Sequence, residues 1–449
     1  MWERAVKNRE SVPTLAPLRL ASSSRGALFL RAMAESLMRP VPSPVRLDGL
    51  APVEVAEQLR HLAGLVFFDT AGNLPSGGSQ PVSVIAARPT QVLQGNIHQA
   101  PDLEIVRAAL DQGPKSAGDH GFPLGGLCGW VDYEGGFVFG DYSEMLVYSH
   151  TDHTWWEVGG LSTQLRTTTG ACEISPFAPL AAKEKFTTGV ARIKEWIAAG
   201  HIYQANLSQG FVAQVTGDLF PLYEALREAS PAPMAAYLKL GGLEILSSSP
   251  ETFLKISGRG IETRPIKGTR PRFSDPDEDR RSAYELQTSA KEISELVMIT
   301  DLLRNDLGQV CEFGSVEVAD ILRLETLAQV HHLVSTVTGT LRPEIDALTA
   351  IAACFPGGSI TGAPKKRAME IIHELEQTPR GIYCGVIGWL GYNGESSLSI
   401  AIRTLVRRGD ELIYQVGAGI VADSDPEKEY EETLHKAAGI RLAVERWQS

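Results

Sequence analysis

The chain has 449 residues, 43% hydrophobic and 21% charged, which is the usage of a folded globular protein and excludes a disordered one. A formal net charge of −12 with no Lys/Arg block argues against a nucleic-acid or anionic-membrane partner, so an anionic ligand would need a locally positive pocket. Cys128, Cys172, Cys311, Cys354 and Cys384 are odd in number and widely spaced, which disfavours a disulfide framework or zinc site and fits a reducing cytoplasm.

No apolar stretch approaches the ~18 residues of a membrane span, and the charged start lacks the apolar core of a signal peptide. Ala27 to Met38 reads as a short helix. Up to about residue 180 the chain is rich in Gly, Pro, Ser and Thr, with strand-like runs at Leu65-Val66-Phe67-Phe68 and Val82-Ser83-Val84-Ile85. Gly125-Gly126-Leu127-Cys128-Gly129-Trp130 reads as a tightly packed strand. After Pro179 the pattern changes: Phe186, Val190, Ile193 and Ile197 recur at helical spacing and Gly200 stops the run. This sets a soft boundary between a portion 1–180 and a portion 181–449.

Beyond it, strands are expected at Ile245 to Ser248, Phe253 to Ile256, Val334 to Gly339, Gly385 to Leu390 and Ser397 to Leu405, with a long helix from about Ser289 to Leu303. The acidic stretch Asp275 to Arg281 reads as a solvated loop. The class is α+β with much antiparallel sheet, packed as one unit.

Chemistry is concentrated in the second portion. Glu292 and Glu295 are three apart, so both carboxylates leave one face of the long helix. Ser424-Asp425-Pro426 starts another helix that carries Glu429 and Glu432 at the same spacing. Four such oxygen-donating side chains would suit a hard cation such as Mg²⁺, although glutamates spaced this way are more often simply solvated.

Lys267 lies between Pro265 and Pro271 near a strand end, sixteen residues after Glu251; a lysine there is either an exposed loop residue or a buried nucleophile beside a carboxyl acid. The run Phe355 to Lys365 leads into a helix whose free N–H groups could receive a carboxylate, but no Gly-Lys-Ser/Thr closes it as a nucleotide loop. Gly417-Ala418-Gly419 follows a strand and precedes the second glutamate helix, which either places free amides close to that carboxylate pair or is a glycine turn with no ligand. Arg403 falls within the alternating strand Leu398 to Arg403, and periodicity does not decide whether it faces outward or into a site; His331 and His332 are equally open.

Seven segments, in order, closely resemble the chorismate-utilising enzymes: Ile202 to Gln209, Ser247 to Glu251, Pro265 to Thr269, Ser289 to Asp306, His332 to Ser335, Phe355 to Lys365 and Gly417 to Lys436. That family includes anthranilate synthase large subunits, aminodeoxychorismate synthases, isochorismate synthases and salicylate synthases. The resemblance covers about residues 180–449 and implies two facing, largely antiparallel sheets with helices outside. Before residue 180 it is only in outline; some relatives keep a regulatory tryptophan pocket there.

The resemblance implies Mg²⁺ held by Glu295 and Glu432 with Glu292 and Glu429 in support. It assigns the pyruvyl carboxylate of chorismate to Tyr383, Arg403, Lys436 and the amides of Gly417 and Gly419, and the ring end to Gly268, Thr269 and Ser359. Gln204, counted with the substrate contacts, stands where water-adding members carry a lysine base, so water addition at C2 is disfavoured. Lys267 stands where aminodeoxychorismate synthases carry lysine and anthranilate synthases carry alanine.

The implied reaction is amination of chorismate at C4: Lys267 attacks C2 while Glu251 protonates the departing C4 hydroxyl, then ammonia adds at C4 and expels the lysine, with His332 near the leaving hydroxyl or the ring carboxylate. The chain shows no glutaminase triad, so a separate glutamine amidotransferase subunit is the expected ammonia source. The alternatives are an anthranilate synthase large subunit and a chorismate-binding paralogue without activity.

Overall fold

Alternation along single strands builds three cores. In Val66–Asp69, Phe67 joins Leu59, Phe220, Tyr223, Tyr237 and Ile440, whereas Val66, facing the other way, joins Val84, Trp130, Ile245, Ile387 and Trp389. In Gly126–Val131, Cys128 and Trp130 share that second core, while Leu127 and Val131 face a third with Phe253, Ile351 and Leu398. Two sheets therefore enclose the second core between them, and helices cover the other two.

The computed structural model describes residues 43–47, 49–72, 81–113, 121–327, 329–376 and 378–448. The helix expected over 27–38 lies outside these residues. Among the described residues the larger sheet has thirteen strands and the smaller ten, and the pairings are antiparallel. This is the α+β arrangement with two facing sheets that the sequence implies. Strands on either side of residue 180 bond directly to each other: 66–69 with 235–238 in the larger sheet, and 126–131 with 386–391 in the smaller.

Several local expectations are met. Lys183–Ala198 is a helix burying Phe186, Val190 and Ile193, and Gly200 turns the chain beyond it with φ +76°. The long helix is Ala290–Gly308, capped by Ser289, and the last glutamate pair rides on Pro426–Lys436, capped by Asp425.

Three readings are corrected. Asp275 to Arg281 is not a loop: Asp275 caps the helix Pro276–Thr288, accepting from the Asp277 and Glu278 amides, with proline in the first turn. Ser397 to Leu405 is not one strand: Ser396–Ile400 lies in the smaller sheet, Thr404–Arg408 in the larger, and Arg403 between them has φ +51°. Gly417 to Gly419 does not follow a strand but forms the end of one, Glu411–Ile420.

Candidate functional site

The two glutamate helices face one another. Leu296 of the first packs with Leu286 and Leu333, which presses the helix onto the strands carrying Lys267 and His332 and aims Glu292 and Glu295 inward. Beneath Glu292, Gly268 has φ +71°, and a Cβ there would meet Leu286 at 2.5 Å and Glu292 Oε2 at 3.2 Å. Glu295 Oε2 lies 3.9 Å from Lys267 Nζ.

On the second helix the Ser424 hydroxyl donates to Glu429 Oε1 at 2.6 Å, fixing that buried carboxylate at the first turn. Glu432 is half-exposed and paired with Lys436 at 2.8 Å. Burial opposes ionisation of Glu432, but Lys436, Lys291 and Lys267 outweigh it and hold the carboxyl below its ordinary value. Burial pushes Glu295 up, partly offset by Lys267 and Lys291.

Beyond Tyr414 the strand Glu411–Ile420 has lost its partner 404–408, so its last residues border the site on that edge. A Cβ at Gly419 would collide with Gln204 Nε2 and come within 3.6 Å of Lys267 Nζ. At Gly417 it would lie 2.8 Å from Tyr383 Oη, and Lys436 Nζ donates to the Gly417 carbonyl at 3.1 Å. Bare backbone thus lets Lys267, Gln204, Tyr383 and Lys436 approach one short stretch of strand.

Glu251 sits between the strands Leu243–Ser249 and Thr252–Ser257, and its carboxyl is raised to about 7, chiefly by burial. Ser359, Lys267, the Ile266 amide and Arg403 each favour its charged form but only in part offset that burial. The Ser359 hydroxyl is near enough to this carboxyl to favour its anion, but it has no hydrogen-bond partner of good geometry among the described residues. The Arg403 carbonyl accepts from the Ser248 amide at 3.1 Å, its guanidinium makes no hydrogen bond or ion pair among the described residues, and its left-handed backbone is the kind of strain that functional sites hold.

His332 is buried, and burial first, then Arg403, lowers it to about 4, so the ring is neutral at neutral pH. Its Nδ1 lies 3.2 Å from the Gly268 carbonyl, which only accepts, and 3.0 Å from Thr269 Oγ1; the proton therefore sits on Nδ1. Nε2, with no partner among the described residues, is left as an acceptor. A neutral ring suits a hydroxyl donor rather than a carboxylate.

The sequence reading missed Arg380. Fully buried, it donates to both Glu376 oxygens at 2.8 Å, to the Ile360 carbonyl at 3.0 Å and to the Asn206 carbonyl at 2.7 Å. Its guanidinium also lies over the rings of Tyr133 and Tyr383 at 4.6 and 5.8 Å. One cation thereby ties Ser359's turn, the strand bearing Gln204 and Tyr383 together. Arg380→Met is expected to cost about 3–5 kcal/mol, because Glu376 would remain a buried charge without its partner; urea unfolding of the two proteins checks this. The sequence signal was slight: Thr378-Pro379-Arg380-Gly381 has loop composition.

Among the described residues no three His, Cys, Asp or Glu side chains are gathered as a ready-made metal site. The donor chemistry nevertheless fits a hard cation. Glu295 Oε1 is buried with no hydrogen-bond partner, and the carboxylates opposite it come from the other helix.

Residues 143–441 match the family model described as chorismate binding enzyme. The chain belongs to this family. Among the family's curated members it is 37% identical over 395 residues to anthranilate synthase component 1 of Methanothermobacter thermautotrophicus, covering 82% of this chain and 85% of that one. It is 48% identical over 254 residues to aminodeoxychorismate synthase component 1 of Salmonella typhimurium, covering 57% of this chain and only 56% of that relative. The crystal structure of anthranilate synthase component I from Streptococcus pneumoniae TIGR4 superposes with a TM-score of 0.71 at 28% identity, over 82% of this chain and 93% of that one. Both kinds of chorismate-family enzyme are thus near relatives, and overall similarity does not choose between them.

Proposed function

We propose that this chain is the chorismate-aminating component of an aminodeoxychorismate synthase, forming 4-amino-4-deoxychorismate for p-aminobenzoate and folate synthesis. The observation that carries the reading is Lys267, whose ammonium lies 3.9 Å from Glu295 and faces bare backbone at Gly419, with Glu251 acting on the same group. A side-chain amine in the substrate cleft supplies a nucleophile, and a carboxyl raised to about 7 supplies a proton donor at neutral pH.

In the proposed sequence the free amine of Lys267 bonds to C2 of chorismate, both conjugated ring double bonds shift, and the C4 hydroxyl leaves as water with the proton of Glu251, so that a secondary ammonium stands at C2. The Nε2 lone pair of His332 accepts from that hydroxyl and orients it. Ammonia then bonds to C4, both double bonds return, the C2–N bond breaks to release the Lys267 amine, and the new C4 ammonium gives a proton back to Glu251. A fixed nucleophile at C2 is what directs ammonia to C4.

Arg403, Lys436, Tyr383 and the Gly417 and Gly419 amides hold the pyruvyl carboxylate; Gly268, Thr269, Ser359 and Gln204 border the ring. Mg²⁺, held by Glu295 and Glu432 with Glu292 and Glu429 in support, would supply positive charge to the ring carboxylate. The relatives' names carry "component 1", which supports a second component, a glutamine amidotransferase that delivers ammonia. No described helix is long and apolar enough to cross a membrane, and all five cysteines are free and buried, as a reducing cytoplasm would leave them.

The second reading is amination at C2, as in an anthranilate synthase; it draws on the 37% identity over 82% of the chain. The test is the product formed from chorismate, Mg²⁺ and excess ammonium without any glutaminase, separated by mass spectrometry and scored for anthranilate fluorescence. Aminodeoxychorismate alone is the expected product. Anthranilate as the main product would replace this reading with the second, and chorismate bound but unchanged would favour a silent paralogue.

A further inference from the structure

Lys291 precedes Glu292 in the long helix and has no part in the chemistry above. Its Nζ lies 3.9 Å from Glu295 Oε1 and 4.0 Å from Glu429 Oε1, so this one ammonium spans the two helices that would share the metal. Among the described residues Glu295 Oε1 has no hydrogen-bond partner, and the side chains of Glu295 and Glu429 are only 12% and 5% exposed, whereas that of Lys291 is 53% exposed. All four glutamates act on Lys291, Glu295 and Glu429 ahead of the others. Lys267 also lies 3.9 Å from Glu295, on its other oxygen, and Lys436 pairs with Glu432 of its own helix, but among the described residues Lys291 is the lysine within 4.0 Å of carboxylates on both helices.

We propose that Lys291 is a built-in stand-in for the metal: its ammonium neutralises the facing carboxylates in the metal-free enzyme and swings out to solvent when the divalent cation binds. This rests on the Mg²⁺ reading given above. Carboxylates on opposed helices repel when nothing lies between them, and a compact ammonium on a flexible four-carbon stem can bridge them and still leave. Distances near 4 Å without a hydrogen bond describe a loosely held counter-ion rather than a locked ion pair. Lys291 therefore competes with the metal and lowers its affinity, while keeping the empty cleft from being pushed open.

The test is calorimetric titration of Mg²⁺ alone into the EDTA-stripped, dialysed full chain at neutral pH and constant ionic strength. Lys291→Met is expected to bind Mg²⁺ about three- to tenfold more tightly than the parent, whereas Lys291→Arg stays close to it. Lys428→Met, which removes an exposed lysine from the other helix, controls for net charge and should leave the affinity unchanged. In EDTA, Lys291→Met should melt below the parent and gain more from added Mg²⁺. Equal or weaker Mg²⁺ affinity in Lys291→Met would overturn the stand-in role while leaving the metal site intact. Absence of Mg²⁺ binding by every variant would overturn both.

Discussion

Lys267→Ala is expected to lower the rate of 4-amino-4-deoxychorismate formation by at least about 10³-fold while leaving the affinity for chorismate within a few-fold of the parent. The split follows from the geometry. Lys267 faces Gly419 and Glu295 inside the cleft, whereas Arg403 and Lys436, proposed to hold the pyruvyl carboxylate, are untouched by the change. Stability should move little, because the 3.9 Å contact with Glu295 is long and Lys291 still faces that carboxylate. Product formation followed by mass spectrometry, with chorismate binding measured separately, checks both halves. An alanine variant with undiminished C4 amination would make Lys267 a bystander, and one that yields anthranilate would identify the lysine as the selector of C4 over C2.

Glu251→Gln is expected to act in opposite directions on activity and stability. As the proposed acid, Glu251 must carry a proton, and with its carboxyl raised to about 7 the parent's turnover should fall as pH rises through that value. The glutamine variant should lose about 10²–10⁴-fold in rate and lose that alkaline limb altogether. The sign for stability runs the other way. A carboxyl raised from 4.5 to about 7 binds its proton more tightly folded than unfolded, so its stabilising contribution is full below 4.5 and is lost as pH rises through about 7. Above that window the parent carries a buried anion that glutamine does not. The variant's stability relative to the parent should therefore rise by up to about 3 kcal/mol between mildly acid and mildly alkaline pH. Urea midpoints across that range measure it; a flat difference would mean that Glu251 is ionised throughout and is not the acid.

Much of the site was legible because its residues sit in regular elements with strong local signals. The serine cap and apolar stripe define the Ala290–Gly308 helix, and three-residue spacing puts Glu292 and Glu295 on one face wherever that helix packs. Asp425-Pro426 announces the second helix in the same way. Asp275-Pro276 is the same signature, but the charge-rich run after it obscured the helix, since only Ser282 and Leu286 of that helix are buried.

What escaped the sequence is set by tertiary contacts. The alternation Leu398 to Arg403 continues the strand pattern, yet the backbone leaves the smaller sheet at Ala401, held by Cys384 N to Ala401 O and Ala401 N to Gly385 O at 2.8 Å. Only this crossing between sheets gives Arg403 its left-handed turn beside Glu251. Arg380 escaped for a similar reason: Glu376 lies four residues before it, but the carbonyls of Asn206 and Ile360 that complete its surroundings are joined to it by folding and not by spacing.

The most direct test of the central claim is a search for the covalent intermediate. The chain is mixed with chorismate and Mg²⁺ in the absence of any ammonia source, quenched in acid and subjected to intact-protein and peptide mass spectrometry. The account predicts a species heavier by chorismate less one water, on the peptide containing Lys267 and absent from Lys267→Ala. Steady production of 4-amino-4-deoxychorismate once ammonia is added, with no such adduct at any quench time and undiminished turnover in Lys267→Ala, would contradict it.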